Sequence, residues 1–293
     1  MMKSNARIIL LDVGGTFVKS ALGIAGNGVV EGSFATVPIS SDGSAEEIER
    51  SFREIVSLQK NRAENDGNVI EAVCAALPGP FDYIEGIFLM KHKFAAVFGR
   101  SFREVLGEVI GPDVRLAFVH DVNGVLLGAL SENPSLMQGN VALSTFGTGL
   151  GFAYAEDGKI QMTDGGSPAE NLWNIPYEGG ILEDFVSRRA ILRFYTDAGG
   201  TLAEGEDVKD ISLKARMGDE KAIEAFRTAG RHYAAGAREL ISRLGIRHLF
   251  FGGQISRSLD LMENEIRDGL GGNVQLSLLD DVQGTVFRGI ATL

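Results

Sequence analysis

The chain has 293 residues, 44% hydrophobic and 23% charged, with a formal net charge of -11. That length and usage describe a globular chain of about two domains, each large enough to bury its own core. The acidic balance and the lack of a long basic run argue against a nucleic-acid partner, but not against a nucleotide, whose phosphates can be held by backbone N–H groups and one or two cations.

In chain order, residues 7–13 are apolar and strand-like and run into Gly14-Gly15-Thr16. A second strand over Val18–Ile24, a turn at Gly26-Asn27-Gly28 and a third strand from Val29 to Thr36 complete a meander. Ser44-Ala45-Glu46-Glu47 has the form of a capping box, opening a helix to about Gln59 with Ile48, Phe52, Ile55 and Val56 on one face. Residues 69–77 are entirely apolar but for Glu71 and read as a buried parallel strand ending in Pro78-Gly79-Pro80. Cys74, the one cysteine, lies in this run; it reads as a small buried hydrophobe, with no internal disulfide and no multi-thiolate zinc site open to it. A helix over 101–110 and a strand over Val114–Val119 lead to His120-Asp121.

The pattern then begins again. A helix over Asn123–Leu130 precedes a strand, Val141–Phe146, the turn Gly147-Thr148-Gly149, a strand over Gly151–Ala155 and a third after Glu156-Asp157-Gly158. Helices are expected over 181–197, 219–244 and 256–270, with the strand Leu249–Phe251 ending in Gly252-Gly253. Two halves on one plan indicate a structural duplication, with a cleft between them as the expected ligand site. The apolar run Ile8–Leu11 is too short for a signal peptide or a membrane span, so no membrane association and a cytoplasmic location are expected.

Asp12, Gly14, Gly15, Thr16 and Lys19 form the strongest motif. A carboxylate at a strand end can hold a magnesium ion, often through water. Glycines remove Cβ atoms, so backbone N–H groups can approach phosphate oxygens, and the Thr hydroxyl and Lys ammonium add donors. Gly147-Thr148-Gly149-Leu150-Gly151 is the matching turn of the second half. It is not a dinucleotide fingerprint, since Phe152 stands where the last glycine belongs and a strand follows. Asp121, where a strand gives way to a helix, has two readings: an N-cap, or the carboxylate that accepts the proton of an attacking hydroxyl.

The Asp-x-Gly-Gly-Thr-x-x-Lys opening, the Pro78-Gly79-Pro80 loop, the Asp121–Asn123 corner, the Gly-Thr-Gly-x-Gly hairpin and the late Gly252-Gly253 turn occur in the order of the ROK family, which the chain resembles over nearly its whole length. That family joins repressors and sugar kinases within the hexokinase–actin superfamily. The resemblance implies an α/β fold of two ribonuclease-H-like domains in the actin-like ATPase arrangement, with a cleft between them. Residues 1–119 with a tail from about 283 to 293 would form the first, and 120–282 the second. It implies Asp121 as the catalytic base, Asp12 as the magnesium-associated acid, and Gly14, Gly15, Thr16, Lys19, Gly147, Thr148, Gly149, Gly252 and Gly253 around ATP. Pro78, Gly79, His120, Asp121, Glu170, Trp173 and Glu183 would contact the sugar.

The chain also departs from the family. His120 stands where the family has Asn, and the segment from Glu170 to Glu183 lacks the family's His and cysteine cluster, so no structural zinc is expected. Trp173 falls about where that His would be, with stacking on sugar and core packing as its two readings. Met90-Lys91-His92-Lys93-Phe94 replaces an Asn-Leu-Pro-x-Trp sugar loop and is either a substrate-contacting loop or a solvated basic face.

The expected function is ATP- and Mg2+-dependent transfer of the γ-phosphoryl to a sugar hydroxyl, with a glucokinase-like hexose kinase foremost. A β-glucoside or amino-sugar kinase and a non-catalytic sugar-sensing regulator are the alternatives. The partner is a small sugar, and a homodimer is left open.

Overall fold

The computed structural model describes residues 5–26 and 28–293; Asn27 of the expected turn lies outside them. The chain forms two compact units. One comprises residues up to Glu132 with Met162–Pro168 and Gln283–Leu293; the other comprises Asn133–Gln161 and Ala169–Val282. By compactness the helix after His120 thus belongs with the residues before it, beyond the division expected at 119.

The first unit opens with β1 (Ala6–Val13), β2 (Phe17–Ile24), β3 (Gly28–Val29) and β4 (Ala35–Pro38). The third expected strand is therefore split. Gly32 takes a left-handed φ of 72°, and the Ser33 hydroxyl accepts the Leu22 N–H at 2.9 Å and donates to the Val30 carbonyl, which closes a turn in mid-strand. Then come α1 (Ala45–Asn65), β5 (Val69–Leu77), a short ribbon of β6 (Phe81–Asp82) and β7 (Ile87–Phe88), α2 (Phe102–Leu106), β8 (Arg115–His120) and α3 (Asp121–Glu132). The capping box of α1 is present: Ser44 Oγ accepts the Glu47 N–H, and Glu47 Oε2 accepts the Ser44 N–H. The helix outruns its expected end because Gln59 is not a polar stop. It is fully buried, donating to Ser20 Oγ at 2.7 Å and to the Ser33 carbonyl at 2.8 Å. The helix expected over 101–110 stops early, where Gly107 turns to a φ of 59°.

The sheet order is β3-β2-β1-β5-β8, with β4 also on β2. β1, β5 and β8 are parallel, and β2 is antiparallel to β1. Ile9, Leu11, Val73 and Ala75 face a core with Phe52 and Ile55 of α1. Phe52, Phe88, Phe94 and Phe102 form an aromatic cluster with ring centroids 5.1–6.1 Å apart. Cys74 is buried, and burial pushes its thiol up to about 11, so it is an inert packing residue.

The second unit contains β9 (Asn140–Phe146), β10 (Leu150–Glu156), β11 (Lys159–Ile160), the ribbon β12 (Pro176–Tyr177) and β13 (Gly180–Ile181), α4 (Glu183–Val186), α5 (Arg188–Asp197), α6 (Val208–Arg216), α7 (Glu220–Arg243), β14 (His248–Gly252), α8 (Glu263–Leu270) and β15 (Gln275–Leu278). Its sheet order, β11-β10-β9-β14-β15, repeats the first: an antiparallel hairpin, then parallel strands. The helix expected over 181–197 is broken at Ser187, which is extended at ψ 175°. That expected over 256–270 is a 3-10 segment, Ile255–Leu261, followed by α8. α6, β15 and the closing α9 (Val282–Ile290) were not among the expected elements.

Within the first unit α9 packs on α3 through glycines. A Cβ on Gly128 would lie 1.9 Å from the Thr285 carbonyl oxygen, and one on Gly289 would lie 2.1 Å from that of Gly124. Gly128→Ala is therefore expected to lower unfolding stability by about 1–3 kcal/mol through overpacking, whereas Gly111→Ala, with open space around it, should stay within about 0.5 kcal/mol of the parent. Urea denaturation checks this, and coincident midpoints for the Gly128 variant and the parent would contradict the packing.

Candidate active site

The first cluster sits at the carboxyl ends of parallel strands, where ligands bind in open α/β sheets. Asp12 is level with Ala76 of β5, and Leu77 is level with His120 of β8, so Asp12, Pro78-Gly79-Pro80 and His120-Asp121 leave the sheet at one edge. Gly79 approaches the His120 ring closely: a Cβ there would lie 3.4 Å from Nε2. The Tyr83 ring packs on the His120 ring at 5.7 Å, and its hydroxyl donates to the Leu77 carbonyl at 3.0 Å.

His120 Nδ1 lies 2.7 Å from Asp121 Oδ1, within ion-pair distance but off the line of an aligned hydrogen bond. The Val122 N–H donates to the same oxygen at 2.7 Å. An N-cap carboxylate takes the N–H two or three residues on; Asp121 takes that of the next residue and is itself the first residue of α3. Its side chain keeps 43% of its exposure, so it remains reachable. Burial raises its carboxyl, but His120, the Val122 N–H and Lys93 together outweigh that and hold it below the usual carboxylate value. Asp121 is thus ionised at neutral pH.

Asp12 behaves oppositely. Burial pushes its carboxyl up, Lys19 at 3.7 Å opposes this, and the charge of Asp121 pushes it further up. The turn beside it is closed by the Gly14 N–H donating to the Phe17 carbonyl at 2.9 Å. Neither Gly14 nor Gly15 lies in the left-handed region, so the need for glycine is one of space. A Cβ on Gly15 would lie 3.3 Å from Ser41 Oγ and 3.9 Å from Lys93 Nζ. Thr16 is exposed at the tip.

The second cluster lies within the second unit. The Gly147 carbonyl accepts the Arg188 N–H at 3.0 Å, which ties the hairpin to the start of α5. Glu183 Oε2 accepts the Leu150 N–H at 2.9 Å and passes so close to Gly149 that a Cβ there would lie 2.6 Å away. Gly253 has a φ of 91°, and its Cβ would lie 2.4 Å from the Phe146 carbonyl oxygen, so glycine is required there on both counts. Gly147, Thr148, Lys209, Arg216, Gln254 and Arg257 contribute to the lining of a cavity of about 510 Å³. Of its cations, Arg188 pairs with Asp207 at 2.7 Å and Arg216 with Asp260 at 2.8 Å. The motifs pointed to Gly147 and Thr148 of this cavity. Its cations, Arg188 on α5, Lys209 and Arg216 on α6 and Arg257 beyond Gly253, carried no sequence signal.

Trp173 is 46% exposed and so is not core; its carbonyl accepts the Glu183 N–H at 3.1 Å. Glu170 stands apart from Glu183. It pairs with Arg243 of α7 at 2.8 Å and lines a separate cavity of about 310 Å³. No cluster of three or more His, Cys, Asp or Glu suited to a metal occurs among the described residues, and no helix among them is long and apolar enough to cross a membrane.

A family model described as "ROK family" matches residues 8–277. No curated protein matches the sequence. Among solved structures, the chain is similar to a ROK family glucokinase from Streptomyces griseus in complex with glucose and AMPPNP (21% identity, TM-score 0.75, 98% of each chain covered). It is similar to a ROK hexokinase from Thermus thermophilus (21%, TM-score 0.74, 98% of this chain and 97% of that one). It is also similar to a ROK family transcriptional regulator, a homolog of the E. coli MLC protein (17%, TM-score 0.82, 99% of this chain and 78% of that one). At these identities the likeness establishes the fold: α/β, with the two ribonuclease-H-like domains of the actin-like ATPases.

The opposed shifts of the two carboxylates carry a signed expectation. A raised pKa in the folded state means that ionising Asp12 costs stability, fully above the folded pKa and not at all below the ordinary value of 3.8. Asp12→Asn should therefore raise the melting temperature of the nucleotide-free protein at pH 7, and the gain should shrink as pH falls toward 3.8. Thermal scans at several pH values check this; a lower melting temperature for the variant at pH 7 would contradict it.

Proposed function

Because this chain belongs to the ROK family, we propose that it is an ATP-dependent sugar kinase with Asp121 as its general base. The observation that carries this reading is the pairing of an accessible, ionised Asp121 with the Asp12–Lys19 phosphate turn at one sheet edge. In the proposed reaction a sugar hydroxyl oxygen forms a bond to the γ-phosphorus of ATP as the bond to the β–γ bridging oxygen breaks. The hydroxyl proton passes to Asp121, and the bonding electrons leave with ADP. The transition state is loose, so catalysis is positioning and charge stabilisation. Asp121 has only to be ionised and within reach, and His120 and the Val122 N–H hold it so.

Asp12 suits a divalent cation. Its buried carboxyl, destabilised further by Asp121, is relieved by a positive charge, and a site with few protein carboxylates fits magnesium, which keeps waters and shares phosphate oxygens. Held beside Asp12 with ATP, Mg2+ would supply neutralisation of charge on the phosphates. The Gly15 N–H, with Thr16 and Lys19, would meet phosphate oxygens, while Gly14, whose N–H closes the turn on the Phe17 carbonyl, keeps the approach free of a Cβ. Gly147, Thr148, Gly149, Gly252 and Gly253, with the cations of the adjoining cavity, would hold the rest of the nucleotide. For the sugar we assign Pro78, Gly79, His120, Trp173 and Glu183, and leave out Glu170, which is engaged with Arg243. Glucose is the leading acceptor, and β-glucosides and amino sugars follow. A cytoplasmic location is part of the same proposal.

A sugar-binding regulator without chemistry is the second reading, favoured by the likeness to the transcriptional regulator. An ADP-release assay across hexoses, amino sugars and glycosides separates the two, since a regulator releases no ADP with any of them. With the acceptor so found, Asp121→Asn is expected to lower kcat by about 10²–10⁴-fold with sugar binding retained. Near-normal turnover in the purified variant would remove Asp121 from the mechanism.

A further inference from the structure

We propose that Lys93 is a second catalytic residue, its ammonium contacting the transferring phosphoryl group beside the Gly14-Gly15 turn. The proposal rests on the kinase reading above and adds to it a residue that the motif pattern does not mark. Three observations carry it. Lys93 Cε and Nζ lie 3.8 and 3.9 Å from where a Cβ on Gly15 would stand, so the amine sits in van der Waals range of the open side of the turn. Its charge is uncommitted: Lys93 enters no ion pair among the described residues, whereas Lys19 is 3.7 Å from Asp12 and Lys91 lies over the Phe98 ring at 5.4 Å. Its charge also reaches Asp121, which it helps to keep ionised.

The backbone fixes this placement. Phe94 is a non-glycine residue in the left-handed region, with a φ of 52°, a conformation that persists only where the surroundings enforce it. They do so here. The Phe94 ring is fully buried 5.9 Å from those of Phe52 and Phe88, and its N–H donates to the Ser41 carbonyl at 2.6 Å. The Ser41 N–H in turn donates to the Gly15 carbonyl at 3.1 Å. Gly15, Ser41 and Phe94 are thus stitched together by main-chain bonds, and Lys93 is carried on an anchored segment. In a loose transition state charge spreads over the three equatorial phosphoryl oxygens, and a cation already in place stabilises that charge more than the ground state.

The test is steady-state kinetics with MgATP and the acceptor selected by the ADP-release panel. Lys93→Met should lower kcat by about 10²–10³-fold, with KM for the sugar within about threefold and an unchanged melting curve, because the side chain is exposed. Lys93→Arg should recover at least tenfold of the loss. Lys91→Met, the control on the same loop, should stay within about twofold of the parent. A kcat loss under tenfold for Lys93→Met, or a change confined to KM, overturns the proposal, as does an equal loss in the Lys91 control. If the parent is active, Asp121→Asn silent and Lys93→Met at full rate, the kinase reading stands and Lys93 falls. If the parent releases no ADP with any sugar, both fall together.

Discussion

The placement of two carboxylates, Asp12 and Asp121, at one edge of a parallel sheet organises the first unit's site. Parallel β1 and β8, joined through β5, deliver both there, and partial burial raises the cost of charging each. Two like charges so placed do not share their surroundings equally. Asp121 receives His120, a backbone N–H and the field of Lys93, and stays ionised. Asp12 receives Lys19 alone and resists ionisation. Environments that push two acids apart in this way suit them to different tasks, and the proposed kinase reaction uses that difference: Asp121 as proton acceptor, Asp12 beside a cation.

The second unit uses the same strand plan for another purpose. Its hairpin also turns on glycines at the end of a first strand, and Gly253 also closes a parallel strand against it. Yet the charged side chains around it include cations on α5, α6 and the segment after Gly253, with Asp207 paired to Arg188, and one oxygen of Glu183 accepts the Leu150 N–H. A repeated sheet fixes where strands end and where the glycine turns lie. The helices laid over it decide the charge met there.

Residues far from the chemistry set its geometry. Tyr83 braces His120, which braces Asp121. The aromatic cluster around Phe52 holds Phe94 in an unfavourable backbone conformation and so aims Lys93. The fully buried Asn123 on α3 reaches the Gly166 carbonyl at 3.5 Å and thereby joins the segment 162–168 to the helix that carries Asp121.

Much of this was legible in the sequence because it is local. The runs that became β1, β5 and β9 are apolar enough to be strands in any context, the Ser44–Glu47 box is a contact between near neighbours, and the glycine turns follow the strands they terminate. What the sequence left open depends on partners distant along the chain. Gln59 reads as polar but is buried because Ser20 and Ser33 satisfy it. α9 packs through glycines against α3, a contact spanning more than half the chain, and its place beside that helix is not readable from local spacing. In the sequence Asp121 reads equally as a helix cap and as a base, and its hydrogen bond from the next residue's N–H is visible only in the fold. Lys93 was one of three basic residues in a row, and only the fold turned it toward Gly15 and turned Lys91 away. Periodicity and short-range spacing fix elements and turns, because those interactions close within a few residues. The direction of a charge, and the charge it faces, are fixed only when remote segments pack.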